Sequence, residues 1–266
     1  MKKIIRCMLC IALALSLLLV GCADGDVTDA PQSTESESDV QVGGTPAPEP
    51  SNRKRVAITF DDGPHNVRTR EIVDELDKYG FTATFFVVGN RVDGGVYNGG
   101  ETINYIIEHG HEVGIHGYTH LKYYDECSDA EFKDELSKTA SAIKDRVKNY
   151  SPRLMRPVGG YITDKRVQTC QYAVIMWDVD SEDYKNSYQP STSLSEEEKA
   201  EMVNTIVENV MSNVKDGAII LMHDIYLSTS DAVKIILKCL DEEGYDVVSV
   251  SELLGNPTPG NKYYGK

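Results

Sequence analysis

Two adjacent carboxylates, Asp61 and Asp62, follow a strand-like apolar run in the segment VAITFDDGPH. Like charges this close repel and raise each other's pKa unless positive charge lies beside them, so the pair indicates a nearby cation. Successive side chains of an extended chain point to opposite sides, which lets the two carboxylates serve different partners. The pair therefore predicts a cation-dependent site in which the two aspartates have different roles.

Two histidines in the segment HGYTH, His116 and His120, have a spacing at which both imidazoles can reach one ion from a single loop or helical turn. With one carboxylate they would form a two-histidine, one-carboxylate site that has open coordination positions. Isolated histidines often serve only as packing or surface residues, but here the ligand spacing coincides with paired aspartates. The combination indicates a divalent metal site.

Further polar groups close apolar strands, and the residues alone leave their roles open. His223 ends the run AIILMH and is either a packing residue or a working acid–base group. Asp180 or Asp183 is the carboxylate that could orient and charge this imidazole. Arg156 is either a structural cation or the guanidinium that keeps one of the paired aspartates ionised.

Short apolar runs alternate with helical patterns and must supply the strands that position these groups. The strand-like runs are RVAITF, TATFFVV, HEVGI, RLMRP, AVIMWDV, AIILM and YDVVSV. Ser128 with Glu131 and Ser195 with Glu198 are capping boxes that open two helices. Apolar strands separated by helices indicate an α/β fold with a parallel sheet, and seven such units predict a closed or nearly closed barrel. The polar clusters follow strands, so we expect them to share the mouth at the carboxyl ends.

The chain outside the predicted domain falls into three segments. Residues 1–21 have a basic start, an apolar run and a small-residue end, which is typical of a bacterial export signal. The sequence LVGC that ends at Cys22 resembles a lipobox, which implies lipid on that cysteine. Residues 22–52 are acidic and poor in large apolar side chains, which predicts a disordered, lipid-anchored linker. Residues 53–255 form the predicted domain, and we expect residues 256–266 to be a flexible tail.

The polar clusters TFDDGP, HGYTH, RPVGG, DSEDY and LMH, in this order along the chain, resemble the motifs of a known family. This is the polysaccharide deacetylase family, carbohydrate esterase family 4, which has the NodB-homology fold. TFDDGP matches the first motif of that family completely, and HGYTH matches its His-x-x-x-His metal motif. RPVGG, DSEDY and LMH match the third, fourth and fifth motifs. The resemblance extends over about 53–254 and implies a distorted (β/α)7 barrel in a single NodB-like domain.

The resemblance also implies a role for each matched residue. The implied ligands of a divalent metal, most often zinc, with cobalt or another transition metal as alternatives, are Asp62, His116 and His120. The implied catalytic groups are Asp61 as general base, Arg156 as the cation that positions it, His223 as general acid and Asp180 as the carboxylate that tunes this acid. A backbone N–H near residues 158–160 would stabilise the oxyanion. The products would be acetate and a free sugar amine.

Three residues depart from the family pattern. Gly117 stands where Ser or Thr is usual, Val158 replaces a usual proline, and Tyr184 replaces a usual tryptophan. None removes an implied ligand, base or acid, but each adjoins the groove and bears on rate or substrate. Aromatic residues that are candidates for stacking on sugar rings, and equally for core packing, are Trp177, Tyr118, Tyr161 and Tyr184.

These observations predict a metal-dependent deacetylase, lipid-anchored at the extracytoplasmic face of the cell membrane, that acts on an N-acetylated extracellular glycan. Peptidoglycan N-acetylglucosamine is the favoured substrate. The alternatives are a chitooligosaccharide deacetylase, an acetylxylan O-deacetylase and, from another class, an inactive glycan-binding lipoprotein. The formal net charge of −15 argues against nucleic acid as a partner, because phosphate binding requires clustered Lys and Arg.

Overall fold

The computed structural model describes residues 52–94 and 98–266. The predicted signal peptide, Cys22 and the predicted linker up to residue 51 lie outside the described residues. Arg53–Lys266 form one unit by their internal contacts. None of the helices within the described ranges is long and apolar enough to cross a membrane.

The core of this unit is a sheet in which every pair of neighbouring strands is parallel. The strand order is β6-β7-β1-β2-β3-β4-β5-β9, and β8 pairs with the first residues of β1. β1 reads KRVAITFD and is buried from its third residue onward, as expected for a central parallel strand. The strands are β1 (Lys54–Asp61), β2 (Thr84–Val87), β3 (Glu112–Ile115), β4 (Leu154–Met155), β5 (Ala173–Ile175), β6 (Val179–Asp180), β7 (Ile219–His223), β8 (Tyr245–Val247) and β9 (Lys262–Tyr263).

Helices connect most of these strands and cover the sheet, which confirms the predicted α/β class. In the described part of the chain they are α1 (Arg68–Asp77), α2 (Gly89–Asp93), α3 (Gly99–Glu108), α4 (Asp129–Arg146), α5 (Asp164–Thr169), α6 (Glu196–Asn213), α7 (Leu227–Glu242) and α8 (Val250–Leu254). Both predicted capping boxes are present, at Ser128 for α4 and at Ser195 for α6. A 3-10 turn spans Val158–Gly160.

The predicted run AVIMWDV does not form one strand but divides into β5 and β6. These two strands lie near opposite ends of the strand order although only three residues separate them in the chain. Asp178 lies at the break, where its Oδ2 accepts the N–H groups of Ile219 at 2.9 Å and Gly265 at 2.7 Å. The sheet is therefore curled into an incomplete barrel, in agreement with the distorted barrel predicted from the sequence.

The C-terminal residues differ from the predictions. The segment 256–266, expected to be a flexible tail, contains β9, which pairs with β5, and the N–H of Lys266 donates to the Gly217 carbonyl at 2.9 Å. β5 would otherwise present an unpaired edge, and β9 satisfies its backbone groups. The predicted strand YDVVSV ends at Val247, because Ser249 caps the short helix α8 by accepting a bond from the Glu252 N–H.

Candidate active site

Parallel register brings the predicted functional residues to one edge of the sheet. Asp61, the last residue of β1, is the register partner of His223, the last residue of β7. Further along the same sheet, Ile115 of β3 is the register partner of Met155 of β4. His116 and Arg156 are the next residues in the chain after these two partners. The carboxyl ends of these four strands therefore form one mouth, as predicted.

Asp62, His116 and His120 lie together at this mouth, and one ligand atom from each lies within 4.8 Å of the other two. Asp62 Oδ1 is 2.9 Å from His120 Nε2 and 3.4 Å from His116 Nε2. The Nδ1 of His116 is 2.9 Å from the Arg156 carbonyl oxygen, which can only accept a hydrogen bond. Nδ1 therefore carries the proton and Nε2 presents its lone pair, the arrangement usual for metal-bound histidine.

The charge distribution around these three residues also favours a cation. Burial would raise the pKa of Asp62, but the adjacent imidazoles of His116 and His120 hold it well below its usual range, so the carboxylate stays ionised. Burial opposes charge on His116, yet the negative charges of Asp61 and Asp62 raise its pKa. Two nitrogen ligands and one carboxylate at this distance fit a divalent transition metal such as zinc.

Arg156 is fully buried and binds the other aspartate of the pair. Its Nη1 donates to Asp61 Oδ1 at 2.9 Å and to the Thr59 hydroxyl at 2.7 Å. Its Nε and Nη2 donate to the carbonyl oxygens of Ile175 at 3.2 Å and Met176 at 3.0 Å. These four bonds fix the guanidinium. The sequence left open whether Arg156 is a structural cation or the partner of one of the paired aspartates, and in the structure it pairs with Asp61.

His223 pairs with Asp183, not with Asp180. Its Nδ1 is 2.7 Å from Asp183 Oδ1, and its backbone N–H donates to Asp183 Oδ2, also at 2.7 Å. The Thr229 hydroxyl donates to the same Oδ2 at 2.7 Å, so the buried carboxylate is fully engaged. Because Nδ1 is bound by Asp183, Nε2 is the nitrogen left to exchange a proton with a substrate.

The family resemblance implied Asp180 as the carboxylate that tunes His223, but the structure places Asp183 on the imidazole. The local backbone explains why. Asp180 ends β6, and its Oδ1 accepts the N–H of Glu182 at 2.8 Å, which closes a turn directly after the strand. Glu182 has a left-handed φ of 53°, so the chain turns at this residue. The turn brings Asp183 within hydrogen-bond distance of the imidazole. Burial disfavours the imidazolium, but the hydrogen bond and charge of Asp183, together with the charges of Asp61 and Asp62, outweigh it and raise the pKa of His223 to about 9.

The structure accounts for the glycine at position 117. Gly117 has a left-handed φ of 83°, and a Cβ at this position would lie 2.5 Å from Tyr124 Oη. Tyr124 is fully buried and packs edge-on against Phe132, so its ring cannot readily withdraw. The space that a Ser or Thr side chain would need is therefore taken by Tyr124.

The turn Val158–Gly160 follows Arg156 and supplies the backbone N–H groups considered for the oxyanion. Gly160 donates its N–H to the Pro157 carbonyl at 2.9 Å, and Tyr161 donates to the Val158 carbonyl at 3.2 Å. Val158 and Gly159 are thus the two residues whose N–H groups are not used within this turn. The methyl carbon Cγ2 of Val158 lies 3.6 Å from the position that a Cβ of Gly117 would occupy, so the turn adjoins the histidine loop.

The four aromatic candidates for sugar stacking divide by exposure. Tyr161 and Tyr184 are exposed, whereas Trp177 and Tyr118 are only partly so. The ring of Tyr161 lies 5.0 Å from that of Tyr123, a second exposed tyrosine, and the ring of Tyr184 lies 5.8 Å from that of His223. Aromatic surface therefore flanks the mouth on two sides.

Sequence reasoning missed three polar residues that support the site. Thr59 binds Arg156, Thr229 binds Asp183, and Glu135 of α4 binds the backbone between the two histidines. Thr59 and Thr229 resemble ordinary strand and helix residues and carry no signal in the sequence. Glu135 is a buried acid next to Leu136, on the apolar face of an amphipathic helix, and that position is a signal.

A family model described as polysaccharide deacetylase matches residues 49–175. Among curated proteins, the peptidoglycan-N-acetylmuramic acid deacetylase PdaC of Bacillus subtilis (strain 168) is 38% identical over 202 residues, which are 76% of this chain and 39% of PdaC. A peptidoglycan-N-acetylglucosamine deacetylase of Bacillus cereus (strain ATCC 14579) is 35% identical over 213 residues, 77% of this chain and 90% of that protein. The chain spans 39% to 43% of the length of the first curated relatives that it matches.

Solved structures show the same fold. The structure of B. subtilis PdaC is similar with a TM-score of 0.67 and 36% identity, and the match covers 77% of this chain and 92% of that chain. A family 4 acetyl xylan esterase from Clostridium thermocellum, solved in complex with a cobalt ion, has a TM-score of 0.67 and 28% identity over 80% of this chain and 98% of that chain.

Proposed function

The chain belongs to the polysaccharide deacetylase family, and from this premise we propose that it is a metal-dependent hydrolase that removes N-acetyl groups from an extracellular glycan. The observation that carries the proposal is the register of Asp61 with His223 across neighbouring strands, beside the three candidate metal ligands. A base and an acid on either side of one mouth, next to a cation site, are the groups that amide hydrolysis requires. We further propose zinc as the metal, because its preferred ligands include imidazole nitrogen and carboxylate oxygen.

Each group at the mouth has a defined part in this reaction. When bound, the metal supplies Lewis-acid polarisation and a water of lowered pKa. Asp61, held in place by Arg156, takes the proton of the attacking water. The N–H of Val158 or Gly159 donates to the oxyanion as the acetyl carbon becomes tetrahedral. His223, kept protonated by Asp183, then gives its Nε2 proton to the departing sugar amine, and acetate is released.

For the substrate, we propose peptidoglycan, with its N-acetylglucosamine residues as the deacetylated sugar. Two relatives reported above are named peptidoglycan deacetylases, one for N-acetylglucosamine and one for N-acetylmuramic acid. The exposed rings of Tyr161 and Tyr184 flank the mouth, where they could stack on the apolar faces of neighbouring sugars in a chain. A polymeric glycan is long enough to contact both surfaces at once.

Acetate release from a panel of substrates tests this proposal. We expect release from peptidoglycan and N-acetylated chitooligosaccharides to exceed that from acetylxylan, to stop on addition of a chelator and to return with Zn²⁺. Release mainly from acetylxylan would instead identify an O-deacetylase. Binding of glycans without acetate release from any metal-loaded sample would identify an inactive glycan-binding protein and contradict the proposal. In cells, deletion of the gene should lower the fraction of free amino sugars in the wall.

We also propose that the protein is attached to the extracytoplasmic face of the cell membrane through lipid on Cys22. The support is the sequence LVGC after an apolar run, followed by a linker of about thirty residues up to residue 52. A flexible chain of that length has an r.m.s. span of roughly 30 Å, which lets the domain reach the wall layer nearest the membrane. Lipoprotein-type multiple acylation would provide a stable anchor, since one acyl chain binds only marginally.

Membrane fractionation of a Cys22→Ala variant tests the anchor. We expect the wild-type protein to sediment with membranes and the variant to be released, because the lipid attachment point is gone. Cys127→Ala is the matched control, since Cys127 is a free cysteine of the folded domain, and it should fractionate like wild type. Retention of the Cys22→Ala variant in the membrane fraction would show that the anchor is misassigned.

A further inference from the structure

Residues 117–119, which we call the ligand loop, connect the two candidate metal-ligating histidines and belong to neither a helix nor a strand. Left-handed φ angles occur at the first residue of the loop, Gly117 (83°), and at the residue directly after the loop, His120 (60°). A residue other than glycine in this region persists only where surrounding contacts determine its backbone. The position of His120 therefore depends on what holds the ligand loop.

A buried carboxylate binds the N–H side of the ligand loop. Glu135 of α4 is 6% exposed, and its Oε2 accepts the backbone N–H groups of Tyr118 at 2.7 Å and Thr119 at 2.9 Å. Its Oε1 accepts the Thr119 hydroxyl at 2.8 Å. Three bonds from one short segment to one ionised group fix that segment more firmly than neutral partners would.

The carbonyl groups of the ligand loop are bound by the start of α2. The carbonyl oxygens of Gly117 and Tyr118 accept the N–H groups of Gly89 and Asn90 at the start of α2, each at 2.9 Å. These are main-chain bonds of a segment that follows a buried strand. Glu135, in contrast, binds the N–H groups of the loop through its side chain, so a substitution at this residue can test what holds the loop.

We propose that Glu135 is a positioning residue for the metal: it holds the ligand loop so that His120 already points at Asp62 and His116 before the ion arrives. The inference rests on the proposed metal site. At position 117 a hydroxyl side chain cannot support the loop from within, because a Cβ there would lie 2.5 Å from Tyr124 Oη. Glu135 supplies the corresponding support from the neighbouring helix.

The metal affinity of the full-length apoprotein tests this role. Zn²⁺ is titrated into wild type and Glu135→Ala in competition with a chromophoric chelator, and thermal unfolding of each apoprotein is recorded separately. Loss of a group that hydrogen-bonds a metal ligand directly weakens metal binding by about 10–100-fold. Because Glu135 bonds the loop and not a ligand, we expect a loss of about tenfold, at the lower end of that range. The matched control is Asp134→Ala, one residue earlier on α4, whose exposed carboxylate pairs with Lys138. It should leave the metal Kd within about twofold of wild type.

A glutamine at position 135 separates positioning from general stability. Its amide oxygen can still accept both loop N–H groups, so Glu135→Gln should bind Zn²⁺ more tightly than Glu135→Ala and about threefold or more weakly than wild type. This variant also keeps the test decisive if Glu135→Ala does not fold. An unchanged Kd in folded Glu135→Ala or Glu135→Gln, with only a lower unfolding temperature, would overturn the proposal. Absence of Zn²⁺ binding by the wild type would instead refute the metal site itself.

Discussion

Replacing Asp61 with asparagine is expected to lower the rate of deacetylation by about a thousandfold while the metal stays bound. The amide cannot take a proton from water, and a general base contributes about 10²–10⁴ to the rate. The ligands Asp62, His116 and His120 are left intact, so metal content should stay near that of wild type. The measurements are acetate release under metal-replete conditions and the metal content of the purified variant by mass spectrometry.

The same substitution leaves Arg156 without its counter-charge. Breaking a buried ion pair costs about 3–5 kcal/mol, so the Asp61→Asn variant should unfold at a lower temperature and needs to be assayed well below it. The paired control is Asp62→Asn, one residue later, which should lose metal and activity together because a ligand is weakened. Near-normal turnover of Asp61→Asn, or loss of its metal, would contradict the division of roles between the two aspartates.

That division could be anticipated from the sequence because it depends on local rules. Adjacent residues of a strand point to opposite sides, and the carboxyl ends of parallel strands meet at one mouth. The positions of Asp61 and His223 follow from these two rules once β1 and β7 are recognised as strands. Asp62 lies one residue beyond β1 and has a left-handed φ of 74°, which strand alternation does not predict. The spacing of His116 and His120 places both histidines at the ends of one short loop, so the sequence predicts that they can converge, although contacts from Glu135 and α2 hold that loop.

The remaining features depend on contacts that no local pattern encodes. Asp180 and Asp183 are both acids after the same strand, and only the left-handed turn at Glu182 decides which one reaches the imidazole. The C-terminal residues look like a polar tail, yet they pair with an edge strand far away in the sequence. The sequence marks Glu135 only as an acid on the apolar face of a helix, and the group that it binds appears only when α4 packs against the ligand loop.

The choice between the two acids has a consequence for the pH dependence of the reaction. As the general acid, His223 must be protonated, and with its pKa raised to about 9 it stays protonated at neutral pH. The rate should therefore fall as the pH rises through the pKa of this imidazole. Burial alone would lower that pKa, and the hydrogen bond and charge of Asp183 are the largest contributions that raise it, ahead of the charges of Asp61 and Asp62.

Asp183→Asn is expected to move the alkaline limb of the pH profile of kcat/KM toward lower pH by about one unit or more. Without the carboxylate, the largest contribution that offsets desolvation of the imidazolium is lost, so His223 loses its proton at lower pH. Asp180→Asn is the matched control: Asp180 is an acid of the same segment, and its Oδ1 accepts the N–H of Glu182, whereas the imidazole of His223 is bonded by Asp183. The alkaline limb of the Asp180→Asn variant should stay within about half a unit of wild type.

A uniform fall in rate for Asp183→Asn, with its alkaline limb unmoved, would mean that Asp183 only holds the fold. A shift in Asp180→Asn instead would restore the assignment implied by the family motif, because the proton on His223 would then depend on the acid that the structure places farther from it.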